Sequence, residues 1–229
     1  MPGIGDCKLG FYICDVITYC SEWHARGRSS SRVMVEQKPQ VIVIAGPNGA
    51  GKTTAAQMLL PATFEIRHFV NADWIARGMS GFDPEAAAFD AGRIMLARLK
   101  QLAEARATFA FETTLASRSF APWLRELCAT GYQFALIFLW LPDAKQAIAR
   151  VADRVRQGGH DVPAETIRRR HGAGLRNFFS LYQPLAAGWR FYDASAPGTP
   201  RLIASGSGIM ENTITDEVTW RSIQKAYRT

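Results

Sequence analysis

Residues Gly46 to Thr53 read GPNGAGKT and match the pattern G-x4-G-K-[ST] at every fixed position. Such a loop restricts the fold more than any other feature of the chain. It needs a strand to deliver it, a helix that starts at its lysine, and backbone freedom for amide N–H groups to turn toward a polyphosphate. The flanks comply. VIVIA at 41–45 is a continuous apolar run, as a parallel strand buried on both faces requires, and a helix is expected from Lys52 to Leu60, before Pro61. Gly46, Pro47, Asn48, Gly49, Ala50, Gly51, Lys52, Thr53 and Thr54 are therefore assigned to nucleotide binding. Lys52 reaches the β- and γ-phosphates and Thr53 holds Mg²⁺, whereas Thr54 packs or caps. ATP is the expected nucleotide, with GTP left open. The loop leaves four acceptors for the terminal phosphate: water, a protein, a nucleic acid or a small metabolite.

Downstream, strand and helix alternate. Strands are expected at 68–73, 108–112 and 134–141, with shorter signals at 189–193 and 201–204. Helices are expected from Asp83-Pro84 onward with the stripe Ala91, Met95, Leu99 and Leu102, then over 118–130, 144–156, 163–185 and 216–227. This alternation predicts an α/β, three-layer fold, doubly wound around a mostly parallel sheet of about five strands. The organisation expected is a poorly ordered leader at 1–38, a domain at 39–206 and a C-terminal extension at 207–229. The leader lacks a sustained period and ends in RGRSSSR. No apolar run approaches the ~18–20 residues of a membrane span, and the N-terminus lacks the basic-then-apolar order of a signal peptide. A cytoplasmic protein is expected. Cys7, Cys14, Cys20 and His24 are spaced more widely than the C-x2-4-C pairs of zinc sites, so no zinc centre is expected. Cys128 reads as a small core residue.

In a doubly wound sheet, ligands bind beyond the carboxyl ends of the strands. Asp73 ends the second strand signal and has two roles open to it: general base for an attacking hydroxyl, or helix N-cap. Asn71 shares its strand parity and is assigned to substrate orientation. FETT ends the third strand. Glu112 follows a buried run, so its charge needs a partner, and Glu112 and Thr114 are assigned to acceptor or Mg²⁺ contact, with caps by Thr113 or Ser117 as the alternative. Asp143 reads as the N-cap of the next helix. No strand ends in the adjacent Asp-Glu pair that serves ATP-hydrolysing machines.

The segment from Ala149 to Asn177 holds Arg150, Arg154, Arg156, Arg168, Arg169, Arg170 and Arg176, and no lysine. Guanidinium forks suit phosphate oxygens. The Gly158-Gly159 break would let the segment act as a lid that brings arginines in and keeps water out. Consecutive helical residues are about 100° apart, so Arg168, Arg169 and Arg170 cannot all serve one site. Arg154 ahead of Arg156, and Arg168 or Arg169, are the arginines expected at the phosphate.

AGPNGAGKTT, FVNADWIARG, FETTLAS, RVRQGGHDVPAETIRRRH and FYDASAPGTPRLIASG, in that order, resemble the zeta toxin family of P-loop kinases, in the compact branch labelled predicted ABC-type ATPase. The resemblance spans about 40–206. It implies Asp73 as general base, Lys52 as the phosphate-binding lysine, Glu112 and Thr114 at the substrate, and Arg154 and Arg168 on the transferring phosphate. It also implies a UDP-N-acetylglucosamine-type acceptor and an antitoxin partner. The chain departs from the best-known members in being shorter and in the GGH form of its lid.

A small-molecule kinase, a polynucleotide 5′-hydroxyl kinase favoured by the net charge of +7, and a nucleotide-binding regulator remain in competition. A chain started at Met34 is expected to fold and bind nucleotide, as read by thermal melting with and without ATP. Loss of either would make the leader structural.

Overall fold

The computed structural model describes residues 38–63, 66–83 and 86–228. The leader, with Cys7, Cys14, Cys20, His24 and Met34, lies outside them, apart from Lys38.

The first strand, β1 (Gln40–Ala45), is buried from Val41 to Ala45, as its unbroken apolar run requires. Helix α1 (Lys52–Thr63) follows the glycine loop, and β2 (Phe69–Val70) leads into α2 (Ala72–Met79). Next come α3 (Ala88–Glu104), β3 (Phe109–Thr113), α4 (Phe120–Ala129), β4 (Gln133–Trp140) and α5 (Ala144–Arg156). Helix α6 (Ala164–Asn177) runs on as a π turn (Phe178–Tyr182) and a 3-10 turn (Gln183–Leu185). The chain ends with β5 (Gly188–Asp193), β6 (Arg201–Ser207), β7 (Met210–Ile214) and α7 (Glu217–Tyr227).

One seven-stranded sheet results, in the order β2-β3-β1-β4-β5-β6-β7. Strands β1 to β5 are parallel, and at one edge β6 pairs antiparallel with both β5 and β7. Strand β1 sits between β3 and β4, so the chain switches sides of the sheet there and the glycine loop opens at the switch. Alternate residues of β1 feed two cores. Val41, Val43 and Ala45 pack with Met95, Leu99, Leu124, Phe178 and Trp220 from α3, α4, the π turn and α7. Ile42 and Ile44 pack with Ala56, Leu60, Ala147, Val151 and Ile167 from α1, α5 and α6. Helices thus cover both faces of a central sheet, giving the three-layer architecture expected, with seven strands rather than five.

Several boundaries differ from those the sequence suggests. The second strand is only two residues long because Asn71 leaves it to cap α2, its Oδ1 accepting the amides of Asp73 (2.8 Å) and Trp74 (3.2 Å). Asp73 therefore sits in the first turn of a helix rather than at a strand end. Helix α1 continues past Pro61, whose fixed φ already suits a helix and whose missing N–H costs one bond near the end. Helix α3 begins at Ala88; ahead of it Asp83 accepts the amide of Ala86 (3.1 Å), and Pro84 lies outside the described residues. Asp143 caps α5 through the amide of Gln146 (2.8 Å), as its position suggests. Residues beyond Ser207 join the same core: β7 pairs with β6, and Trp220 of α7 is stacked on Trp189 with ring centroids 5.5 Å apart.

The C-terminal half of α6 is fastened to the loop after β3. Asn177 donates from Nδ2 to the carbonyls of Leu115 (2.7 Å) and Ala116 (3.2 Å), and the Tyr182 hydroxyl donates to that of Ser117 (2.6 Å). Gly174 lies so close that an added Cβ would stand 2.4 Å from the Thr114 carbonyl oxygen. Gly174→Ala would gain about 1 kcal/mol of helix propensity. It would lose more by overpacking, typically about 1–3 kcal/mol, because the obstacle is backbone and cannot swing aside. A lowered urea midpoint is expected; an unchanged one would mean that α6 is not held on this loop.

Candidate active site

The glycine loop is pressed onto the sheet. Gly46 has φ 141°, and a Cβ there would lie 2.2 Å from the Leu139 carbonyl oxygen, so both the turn and the close approach to β4 demand glycine. Gly49, at φ 79°, is also confined, since a Cβ there would lie 2.9 Å from the Ala147 carbonyl oxygen and 3.0 Å from Arg150 Cβ of α5. Arg150 secures this packing, donating to the carbonyls of Ala194 and Ser195 (2.7 Å each) and, at 3.5 Å, to that of Gly49. One arginine of the rich segment is thus a brace between the loop, α5 and the end of β5.

Gly46, Pro47, Asn48, Ala50 and Lys52 are buried, Gly49 and Thr53 half-buried, and Gly51 and Thr54 exposed. Lys52 is 8% exposed and donates from Nζ to the Pro47 carbonyl at 3.0 Å. Asn48, also buried, has an Oδ1 without a partner among the described residues. Along β3, Glu112 follows Ala110 on the face that meets α1, so its carboxylate meets the first turn of that helix and accepts the Thr53 hydroxyl at 2.8 Å. Thr114 lies one residue past the end of β3, with its hydroxyl accepting the amide of Ala116 at 3.4 Å. Thr113 closes a similar turn on Leu115.

The site's charges are mutually tuned. Burial is the main force that pushes the Lys52 ammonium below the usual lysine range. The carboxylates of Glu112 and Asp73 pull it back up, and the guanidinium groups of Arg154 and Arg170 push it down again. Burial likewise raises the Glu112 carboxyl, opposed by Lys52 and the Thr53 hydroxyl and reinforced by Asp73. Asp73, exposed on the first turn of α2, therefore shares a field with the loop lysine and with Glu112.

Of the lid arginines, Arg154 and Arg170 act electrostatically on this cluster. Arg154 donates to the His160 carbonyl at 2.6 Å, acts on Lys52 and Glu112, and keeps a buried Nε without a partner among the described residues. Arg170 is lowered first by burial, then by neighbouring Arg169, and is held up by Asp73. The structure points Arg168 elsewhere: it is exposed and pairs with Glu165 at 3.7 Å. Arg156 is exposed and pairs with Asp153, and Arg169 is exposed. Arg170 was legible in the helical period. It lies three residues after buried Ile167 and four before buried Gly174, on the inward face. Arg150 and Arg154 stand in the same relation to Ala147 and Val151.

The Thr53 hydroxyl and the Glu112 carboxylate, side by side at the start of α1, fit a hydrated Mg²⁺ that would otherwise take its ligands from water and phosphate oxygens. Among the described residues no three His, Cys, Asp or Glu side chains gather as an all-protein metal cage.

A sheet with a lysine-bearing glycine loop at its switch point, under a helix of arginines, defines a P-loop nucleotide-binding protein. Residues 41–174 match the AAA domain family model, and the chain belongs to that family. An uncharacterized protein of Haemophilus influenzae is 24% identical over 132 residues, 58% of this chain and 92% of that one. The crystal structure of the AvrRxo1-ORF1:AvrRxo1-ORF2 complex with sulphate ions matches with a TM-score of 0.63 at 15% identity, over 94% of this chain and 71% of that one. The PezAT toxin–antitoxin structure from Streptococcus pneumoniae matches at 0.54 and 12%, over 100% and 90%. These likenesses establish a P-loop kinase-like fold. No helix among the described residues is long and apolar enough to cross a membrane.

Because the folded chain raises the Glu112 carboxyl, ionising it opposes folding. That cost is absent below the ordinary glutamate value of 4.5 and fully present above the raised one. Without nucleotide, Glu112→Gln should melt higher than the parent chain near neutral pH, and the gap should close as pH falls. Melts from about pH 4 to 8 check this; a pH-independent difference would contradict the assigned burial.

Proposed function

We propose that the chain is an ATP-dependent phosphotransferase that moves the γ-phosphate to a hydroxyl of a small metabolite, a UDP-N-acetyl amino sugar, as the toxin of a toxin–antitoxin pair. The observation that carries this reading is that the charge of Asp73 acts on Lys52, Glu112 and Arg170, so that a carboxylate, the loop lysine and a lid arginine share one electrostatic field.

In this reading the loop amides and Lys52 hold the β- and γ-phosphates. Asp73 takes the proton of the acceptor hydroxyl as its oxygen bonds to the γ-phosphorus, and the bond to the bridging oxygen breaks to release ADP. Arg154 and Arg170 stabilise the charge on the phosphoryl oxygens. Bound at Thr53 and Glu112, Mg²⁺ would supply further charge neutralisation. Asn71 holds the first turn of α2, and so Asp73, in place. The toxin role is supported by the fold shared with the PezAT toxin–antitoxin system and with AvrRxo1-ORF1, the latter solved together with AvrRxo1-ORF2. The net charge of +7 favours a second reading, a polynucleotide 5′-hydroxyl kinase.

Labelled ATP incubated with UDP-sugars, RNA or no acceptor tests these readings. Labelled UDP-sugar is expected; labelled RNA would establish the second reading, and binding without transfer would leave a regulator. Asp73→Ala should slow transfer by about 10²–10⁴-fold and relieve growth arrest on expression. Undiminished arrest in that variant would remove Asp73 from the mechanism.

A further inference from the structure

Helix α2 presents two consecutive residues to different surroundings. Asp73 acts on the P-loop charges, while Trp74, about 100° further round the helix, lines a groove between the edge strand β2 and α3. The groove encloses about 560 Å³, within the range of sites for nucleotide-sized ligands.

Its chemistry is one-sided. Arg67, His68 and Arg98 line it, and none of its lining residues is acidic. Among the described residues Arg67 has no acidic partner, and Arg98 reaches only the Gln101 side-chain oxygen at 3.4 Å. Trp74 is 41% exposed, and Phe69 packs against it in a T-shaped pair (centroids 5.4 Å apart, planes at 85°), so part of the indole stays open to solvent. Asn71 is 3% exposed; its Oδ1 is used by the α2 amides, but its Nδ2 has no partner among the described residues. A buried amide donor left unpaired is costly, and Asn71 is among the residues that line the groove. A flat face, guanidinium groups and an unused donor together select a planar, anionic, oxygen-bearing ligand.

We infer that this groove binds the nucleoside-phosphate part of the acceptor: the base on Trp74, phosphate oxygens at Arg67 and Arg98, and an oxygen on Asn71 Nδ2. The assignment of the ligand as acceptor rests on the phosphotransferase reading; the binding site itself does not.

Isothermal titration of the full chain, with its P-loop saturated by a non-hydrolysable ATP analogue, tests this. UDP, CDP, GDP and ADP are added separately. At least one should bind as an additional equivalent, weakened about tenfold or more by Trp74→Ala, as loss of base stacking implies, and by Arg98→Gln. Affinity for the ATP analogue should be unchanged in both variants. Arg98 is exposed, so its variant reads out binding even if Trp74→Ala misfolds. No additional equivalent, an equivalent indifferent to both substitutions, or inorganic phosphate binding as tightly as any diphosphate would overturn the inference. So would a 5′-hydroxyl oligoribonucleotide that binds there when no diphosphate does. Transfer to a UDP-sugar without an additional equivalent would remove the groove and keep the kinase. An additional equivalent without transfer to any acceptor would do the reverse.

Discussion

Burial of the Lys52 ammonium governs the arrangement around it. A cation taken out of water must find compensation nearby. Its direct partner is the carbonyl of Pro47, in its own loop, while Glu112 and Asp73 act on it from β3 and α2 and Arg154 and Arg170 oppose them from α5 and α6. Five charged groups from the segments that surround the carboxyl end of β1 are therefore coupled. Three are positive and two negative, an excess that favours a polyanion at this end of the sheet.

The rest of the molecule keeps that cluster in place. Strand β1 is central, and its alternate residues enter two cores, so the glycine loop emerges from a part of the sheet packed on both faces. Arg150 braces the loop from behind. Asn177, Tyr182 and the close approach of Gly174 hold the far half of α6, and Arg170, whose charge couples to Lys52 and Asp73, lies one turn before that anchor. The π turn serves this anchoring: it buries Phe178, Phe179 and Tyr182 together, and aims the Tyr182 hydroxyl at the loop after β3. A similar double use appears at α2, where one asparagine caps a helix that bears Asp73 on one side and Trp74 on another.

Strong local signals are legible in the amino-acid sequence. The P-loop, the buried β1 and the bounds of α5, Ala144–Arg156, follow from glycine placement, an unbroken apolar run and an Asp cap opposite a Gly-Gly stop. The core stripe Ala91, Met95, Leu99 and Leu102 is buried as its spacing requires. Where local chemistries compete, the pattern misleads. HFVNAD looks like a strand throughout, yet the Asn71 side chain offers the backbone a helix start after two strand residues. Strand β7, MENTI, has three exposed residues and little apolar character; it exists through its pairing with β6.

By itself the sequence determined the phosphate loop, the strand–helix alternation and the residue types able to serve a phosphate, because glycine, apolar period and capping act over a few neighbours. Tertiary structure alone decided which of those residues meet. The helical period marks Arg154 and Arg170 as inward, but their proximity to Asp73 and Lys52 depends on how α5, α6 and α2 are set around the sheet. Coulomb attraction depends on separation in space, and residues far apart in the chain acquire a separation only when the sheet is assembled.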